Sequence, residues 1–356
     1  MKLLTLPSVV QRNVFELLGF KQLLIISFCS KRTRYLIQSL QKYRWKDIKF
    51  VKYSFEEEDN IYVNVRSENI NEGFILSPNT LEQLVITPMD VFGMGSEIPI
   101  CLHPIYYGGR YIYDKEQTQI VVQGIHDYLY QFFGSSIDYE VESIEDQLPP
   151  ILKNINRTCI KVPENMTAEE LEAYFTASPN QKYIQLEGDF NGNLCPNSAI
   201  LGAEHLKVNC DGYGDQLLLG FRGKRLACTG SFRDSTIFQF LNAWRLNRGF
   251  HNLESVEINS SECNNYGAAD PLKDMDVKQL DRPEDILHIT WQVRRLYSSR
   301  NVISMFPAKT WKLGFSSRDY LIRDGDGEKA SVSIKNHDVY FALWKGNSCE
   351  IENIND

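Results

Sequence analysis

Residues 6–40 read LPSVVQRNVFELLGFKQLLIISFCSKRTRYLIQSL, and this stretch decides how the chain begins. Ser8 with Gln11 three residues later has the spacing of a capping box, which predicts a helix from Val9. Val10, Val14, Leu17 and Leu18 then recur at i, i+4, i+7 and i+8, one apolar face of a helix that Gly19 should stop. A second helix is expected over 21–28, carrying Leu23, Leu24 and Ile26, and Ser30 can cap a third bearing Tyr35, Leu36, Ile37 and Leu40. Three short helices cannot bury all of this apolar surface within fifty residues, because so small a bundle has too little interior. The surplus points to a protein-binding module.

Around this head the charge is uneven. The 356 residues include 38 Lys and Arg against 46 Asp and Glu, a formal net charge of −8. The first fifty hold ten basic residues against Glu16 and Asp47, so the head is +8 and the remainder −16. Such asymmetry predicts two modules with different partners. A basic head can attract nucleic acid, a membrane surface or an acidic protein. Here the basic residues are interleaved with core positions instead of gathered on one face, which ranks nucleic acid last.

Other classes are excluded by what the sequence lacks. The longest largely apolar run, Leu23 to Cys29, is too short to span a bilayer. Pro7, Gln11, Arg12 and Asn13 interrupt the opening apolar stretch, so no secretory signal is expected. Eight scattered cysteines without a CxxC pair argue against a zinc site or a disulfide framework, and all should be reduced. Gly93-Met94-Gly95 is a bare GxG, and Gly220–Lys224 has the wrong glycine spacing for a P-loop. There is no HExxH and no GxSxG. The expectation is a non-catalytic intracellular protein, cytoplasmic or nuclear, with no metal and no cofactor.

Leu6-Pro7, Val14-Phe15, Leu18, Leu23-Leu24, Ser27, Cys29-Ser30-Lys31-Arg32 and Leu36 together resemble an F-box. Val9 stands where the motif commonly has an acidic residue and Thr33 where it commonly has Trp, and the Cys-Ser-Lys-Arg turn resembles nematode variants. The resemblance implies docking on the acidic Skp-type adaptor of cullin–RING ubiquitin ligases. Leu6, Pro7, Val14, Phe15, Leu18, Phe20, Leu23 and Leu24 would be the contacts, and the basic head would add electrostatic steering.

Further along, Ile61–Val65 alternates as a strand does, and the apolar residues from Ile120 to Phe133 recur at helical spacing. Tyr106–Gly109 reads as a turn. Short β-like runs follow at 159–162, 183–186, 205–210, 225–229 and 253–258, with helices expected over 168–175 and 236–246. Their spacing lies within the leucine-rich-repeat range, although no full repeat consensus is present. Tyr320–Arg323, Ala330–Ile334 and Val339–Trp344 predict an antiparallel meander with turns at Asp324–Gly327 and Lys335–Asp338. Asp324-Gly325-Asp326-Gly327 lacks the further ligands of a calcium loop and reads as a hairpin turn.

A second resemblance lies here. Asp234–Trp244, with its Phe-Leu-x-x-Trp ending, then Asn252–Val256, then Tyr320-Leu321-Ile322-Arg323-x-Asp-Gly with Lys329-Ala330, resemble the type 2 F-box-associated domain of nematode F-box proteins (F-box B type). The fold expected is α+β or α/β: a three-helix F-box over 1–50, a mixed linking region over 51–150, and an irregular leucine-rich-repeat-like α/β domain over 151–356 ending in the meander. The function implied is that of a substrate-recognition adaptor for an unknown target protein, binding no nucleic acid and no membrane. A degenerate F-box on a scaffold that supports no ubiquitination is the alternative.

Overall fold

The computed structural model describes residues 5–28, 30–67, 71–79, 110–209, 212–260, 316–335 and 338–344, with short segments inside 89–102 and 272–313. The chain forms two compact units, Met1–Glu164 with Ala173–Gln181, and Asn165–Glu172 with Lys182–Asp356. Residues 1–50 lie in the same unit as the strands that follow and share its interior.

In the first unit the three expected helices are present as α1 (Ser8–Glu16), α2 (Phe20–Phe28) and α3 (Lys31–Leu40), followed by a single turn, α4 (Lys42–Trp45). Ser30 caps α3 as foreseen, its hydroxyl accepting from the Thr33 amide at 3.0 Å. The capping box on α1 does not form. Pro7 takes the N-cap position, and Gln11 instead donates from Nε2 to the Leu6 carbonyl at 2.9 Å.

Strands β1 (Ile48–Glu56), β2 (Asn60–Ser67) and β3 (Asn71–Pro78) make an antiparallel meander in which Tyr53 faces Val63 and Val63 faces Phe74. Parallel strands extend it on both sides: β4 (Arg110–Tyr113) beside β3, β5 (Asp138–Ser143) beside β1, and β6 (Arg157–Lys161) beside β5. The connection from β4 to β5 is α5 (Thr118–Phe133), the helix expected from the periodicity of 120–133. Its face of Val121, Val122, Ile125, Tyr128, Leu129 and Phe132 is buried.

The apolar surplus of the head is largely spent here. Phe15, Phe20, Leu23, Leu24, Phe28 and Ile37 belong to one hydrophobic cluster with α5 and β1–β4. Phe28 packs on Tyr128 at 4.6 Å between ring centroids, and Phe20 on Trp45 at 5.5 Å. Each such side chain contributes about 1.5–3 kcal/mol on burial. Polar contacts fix the register: Tyr128 donates to Ser27 Oγ at 2.6 Å, and Gln38 Nε2 caps the end of α5 through the Phe132 carbonyl at 2.8 Å.

In the second unit β7 (Tyr183–Glu187), β8 (His205–Asn209), β9 (Arg225–Gly230) and β10 (Ser255–Ser260) pair in parallel, each beside its neighbour in the chain. These are the strands read from the sequence, with slightly shifted ends. The expected helix over 168–175 is α6 (Ala168–Ala177), and that over 236–246 is α8 (Asp234–Arg245). Between them α7 (Gly214–Gly220) was not foreseen, since seven residues with glycine at both ends carry too little periodicity.

The meander follows as β11 (Asp319–Ile322), β12 (Lys329–Lys335) and β13 (Asp338–Leu343), and β13 joins β10 antiparallel with Val256 opposite Phe341. Trp244 and Phe240 of α8 lie 5.0 and 5.4 Å from the Phe341 ring, which puts α8 on the Val256 side of the sheet. Gly325 and Gly327 adopt φ values of 92° and 72°, the left-handed conformation that the Asp-Gly-Asp-Gly turn needs. The turn read at Tyr106–Gly109, Cys29, and residues 336–337 of the last hairpin lie outside the described residues. No helix among the described residues is long and apolar enough to cross a membrane.

Candidate functional site

The head offers a surface rather than a pocket. Helix α1 turns Gln11 and Phe15 inward, Leu18 just beyond it packs against the core cluster, and Val9, Val10 and Leu17 are left outward. Leu17 is 87% exposed, Val9 67% and Val10 41%, while Val14 and Leu18 are half-buried beside them. Arg44 closes the end of α1, its Nη1 donating to the Phe15 and Leu18 carbonyls at 3.2 and 3.0 Å. The start of α2 is tied to β3 by the Lys21 amide donating to Glu72 Oε2 at 2.9 Å. Arg12, Lys31, Arg32 and Lys42 of the head are exposed.

The eight residues named from the sequence separate into two groups. Pro7 is exposed, and Leu6, Val14 and Leu18 are half-buried on the α1 side. Phe15, Phe20, Leu23 and Leu24 point into the unit's own core. Val9 and Leu17, which the sequence reading did not place among the contacts, are the most exposed large apolar residues among those described in the head. Thr33 is buried and shares a 2.6 Å hydroxyl hydrogen bond with Ser30, so the position commonly held by Trp here completes the cap of α3.

The F-box domain family matches at residues 3–45. Residues 3–45 are an F-box domain. The match covers the three helices and their surface stripe, and no curated protein and no solved structure matches the chain.

Behind the F-box, the titratable groups with shifted pKa values hold structure. His126 is fully buried, and burial lowers its pKa to about 4 against a smaller opposing effect of its backbone hydrogen bond. The Lys153 carbonyl can only accept, so Nε2–H donates to it at 2.5 Å and Nδ1 accepts from the Tyr53 hydroxyl at 3.0 Å. On the opposite face of β1, Lys52 lies 2.6 Å from Glu142 and 3.7 Å from Glu140, and Arg157 lies 3.2 Å from Glu140. Burial raises the Glu140 pKa, and the two cations oppose that shift. These groups are committed to one another, and none of them is posed as a nucleophile with a base. Among the described residues no group of His, Cys, Asp and Glu could hold a metal ion.

The motifs of the second resemblance meet in space. The Arg323 guanidinium lies 5.4 Å over the Trp244 ring, and the same group pairs with Asp326 at 2.5 Å and Glu328 at 2.6 Å. The Asp-Gly-Asp-Gly turn therefore directs Asp326 to an arginine.

Proposed function

We propose that this chain is the substrate-recognition adaptor of an SCF-type E3 ubiquitin ligase. Its F-box docks on a Skp-type adaptor and through it on a cullin–RING ligase, and the rest of the chain captures an unknown target protein. The observation that carries this reading is the coincidence of the F-box match over 3–45 with the exposure of Val9, Val10 and Leu17 on α1 and at its end. Apolar side chains exposed together on one face commonly mark a site of protein interaction. The docking contacts are Leu6, Pro7, Val14 and Leu18 with Val9, Val10 and Leu17, and the exposed basic residues steer an acidic partner. Phe15, Phe20, Leu23 and Leu24 are held in the first unit's own core and are not among the proposed contacts.

We read the second unit as a type 2 F-box-associated domain of the nematode F-box B type, with leucine-rich-repeat-like succession of strands. Two features support this: strands β7–β10 follow one another across the sheet, and Trp244 and Arg323, which lie within the two motifs, stack together. The chain has no catalytic role of its own and works in the cytoplasm or nucleus.

The test is reconstitution. The full chain should co-purify with recombinant Skp-type adaptor and cullin–RING subunits, and the assembly should transfer ubiquitin to a bound target. Absence of any co-purification refutes the reading. A scaffold that supports no ubiquitination is the second reading, and the burial of four of the eight motif residues in the chain's own core favours it. Adaptor binding without cullin-dependent transfer would select that alternative.

A further inference from the structure

Helix α3 and the single turn α4 are joined by Gln41, and the exposed positions keep helical spacing through the junction. Lys31, Tyr35, Ser39, Lys42 and Lys46 recur at i, i+4, i+8, i+11 and i+15, and all are exposed. Arg32 and Tyr43 are exposed beside them, while Arg34, Ile37 and Gln41 are buried on the other side. At 1.5 Å per residue the stripe is roughly 20 Å long. Along the sequence these basic residues alternate with core positions, and in a helix that alternation gathers them on one face.

The cations of the stripe are uncommitted. The side chains of Lys31, Arg32, Lys42 and Lys46 make no ion pair or hydrogen bond with any described residue. Residues 1–50 contain two acids, Glu16 at the end of α1 and Asp47. Helix α5 carries one, Asp127, which accepts from Gln123 Nε2 at 2.6 Å, and Glu72 of β3 accepts from the Lys21 amide. The rings are equally open, with Tyr35 55% exposed and Tyr43 53%. The buried Arg34 guanidinium lies 5.1 Å from the Tyr35 ring centroid, so one face of the ring rests on a cation and the other is free. Ser39 Oγ donates to the Leu36 carbonyl at 2.9 Å, which leaves it only lone pairs to offer outward.

We propose that this stripe binds single-stranded RNA, its cations on the phosphates and its two tyrosine rings against unpaired bases. Cations interleaved with exposed aromatic faces are the two elements of single-strand binding, and a duplex hides its bases from such rings. An anionic membrane is the poorer fit, because the apolar side of α3 is packed in the core and cannot enter a bilayer. An acidic peptide would answer the cations and leave the ring faces unused. A ribose 2′-hydroxyl can donate to Ser39 Oγ, whereas deoxyribose has no such donor. The inference goes beyond the adaptor reading and does not depend on it.

The test is fluorescence anisotropy of a short labelled oligouridylate titrated with the full chain. Its deoxy counterpart, a polyglutamate peptide and phosphatidylserine vesicles serve as competitors at equal charge concentration. The RNA should bind saturably, and none of the three should displace it. Tyr35→Ala/Tyr43→Ala should weaken binding about tenfold or more with its salt dependence unchanged. Lys42→Gln/Lys46→Gln should reduce the slope of log affinity against log salt by about 1.4. Ser39→Ala should bring the affinities for RNA and DNA together. All five altered side chains are exposed, so melting temperatures should stay at the wild-type value. The proposal is overturned by absence of saturable binding, by displacement with the deoxy strand, the peptide or the vesicles, or by an unaltered affinity in the double tyrosine variant.

Discussion

His126 shows how one buried side chain sets an acid limit on stability. Its folded pKa of about 4 lies below the ordinary 6.5, so the unfolded chain takes up a proton first as the pH falls. The contribution of the neutral imidazole is complete above 6.5 and is lost progressively down to about pH 4, amounting to roughly 3 kcal/mol. Denaturant unfolding across this window should show that slope, and His126→Gln should flatten it; an unchanged slope would mean other groups carry the acid sensitivity. Arg323 poses a different question, because its carboxylate partners are half in water and re-solvate when it is removed. What Arg323→Ala loses is the planar cover over Trp244, worth about 1–2 kcal/mol. Lysine should not restore it, since an ammonium does not stack. Melting of Arg323→Ala and Arg323→Lys at wild-type temperature would contradict this. Neither role was legible in the sequence: Tyr53, His126 and Lys153 are far apart in the chain, and the Asp-Gly-Asp-Gly turn names no partner.

At the scale of elements, periodicity was a sound guide to what forms and a poor guide to which way it faces. The strands over 205–209 and 255–260 alternate so cleanly that their buried sides could be read directly. Helix α1 was also legible as a helix, but the side it presents to the core is that of Gln11 and Phe15, against the apolar stripe. An amphipathic pattern marks a face that will be covered; it does not say whether the cover is the same chain or another. The consequence is measurable. Leu24→Ala should cost about 2–5 kcal/mol of folding stability because Leu24 is inside the first unit, so loss of adaptor binding in that variant would report unfolding. Val10→Asp and Leu17→Asp, at exposed positions, should change stability by less than about 0.5 kcal/mol. Calorimetry of the three variants checks both statements, and a large loss in Leu17→Asp would place that residue in a core.

For the whole molecule, the charge division at residue 50 falls inside one folded unit. The F-box supplies Phe28 and Ser27 to Tyr128 and caps α5, so removing residues 1–47 should strip the first unit of part of its core. Hydrogen exchange on that deletion should show lost protection in α5 and β1–β4 while β7–β10 and the C-terminal meander stay protected; full protection of α5 would mean the head is dispensable for folding. This coupling could not be read from composition, which reports a basic head and an acidic remainder but not their shared interior. The most direct measurement is titration of the purified full chain with purified Skp-type adaptor, beside the Val10→Asp/Leu17→Asp double variant. Saturable binding by the wild type, weakened at least about tenfold in the double variant with its melting temperature unchanged, is the predicted result. No binding by the wild type, or equal binding by the double variant, would contradict the assignment of α1 as the docking surface.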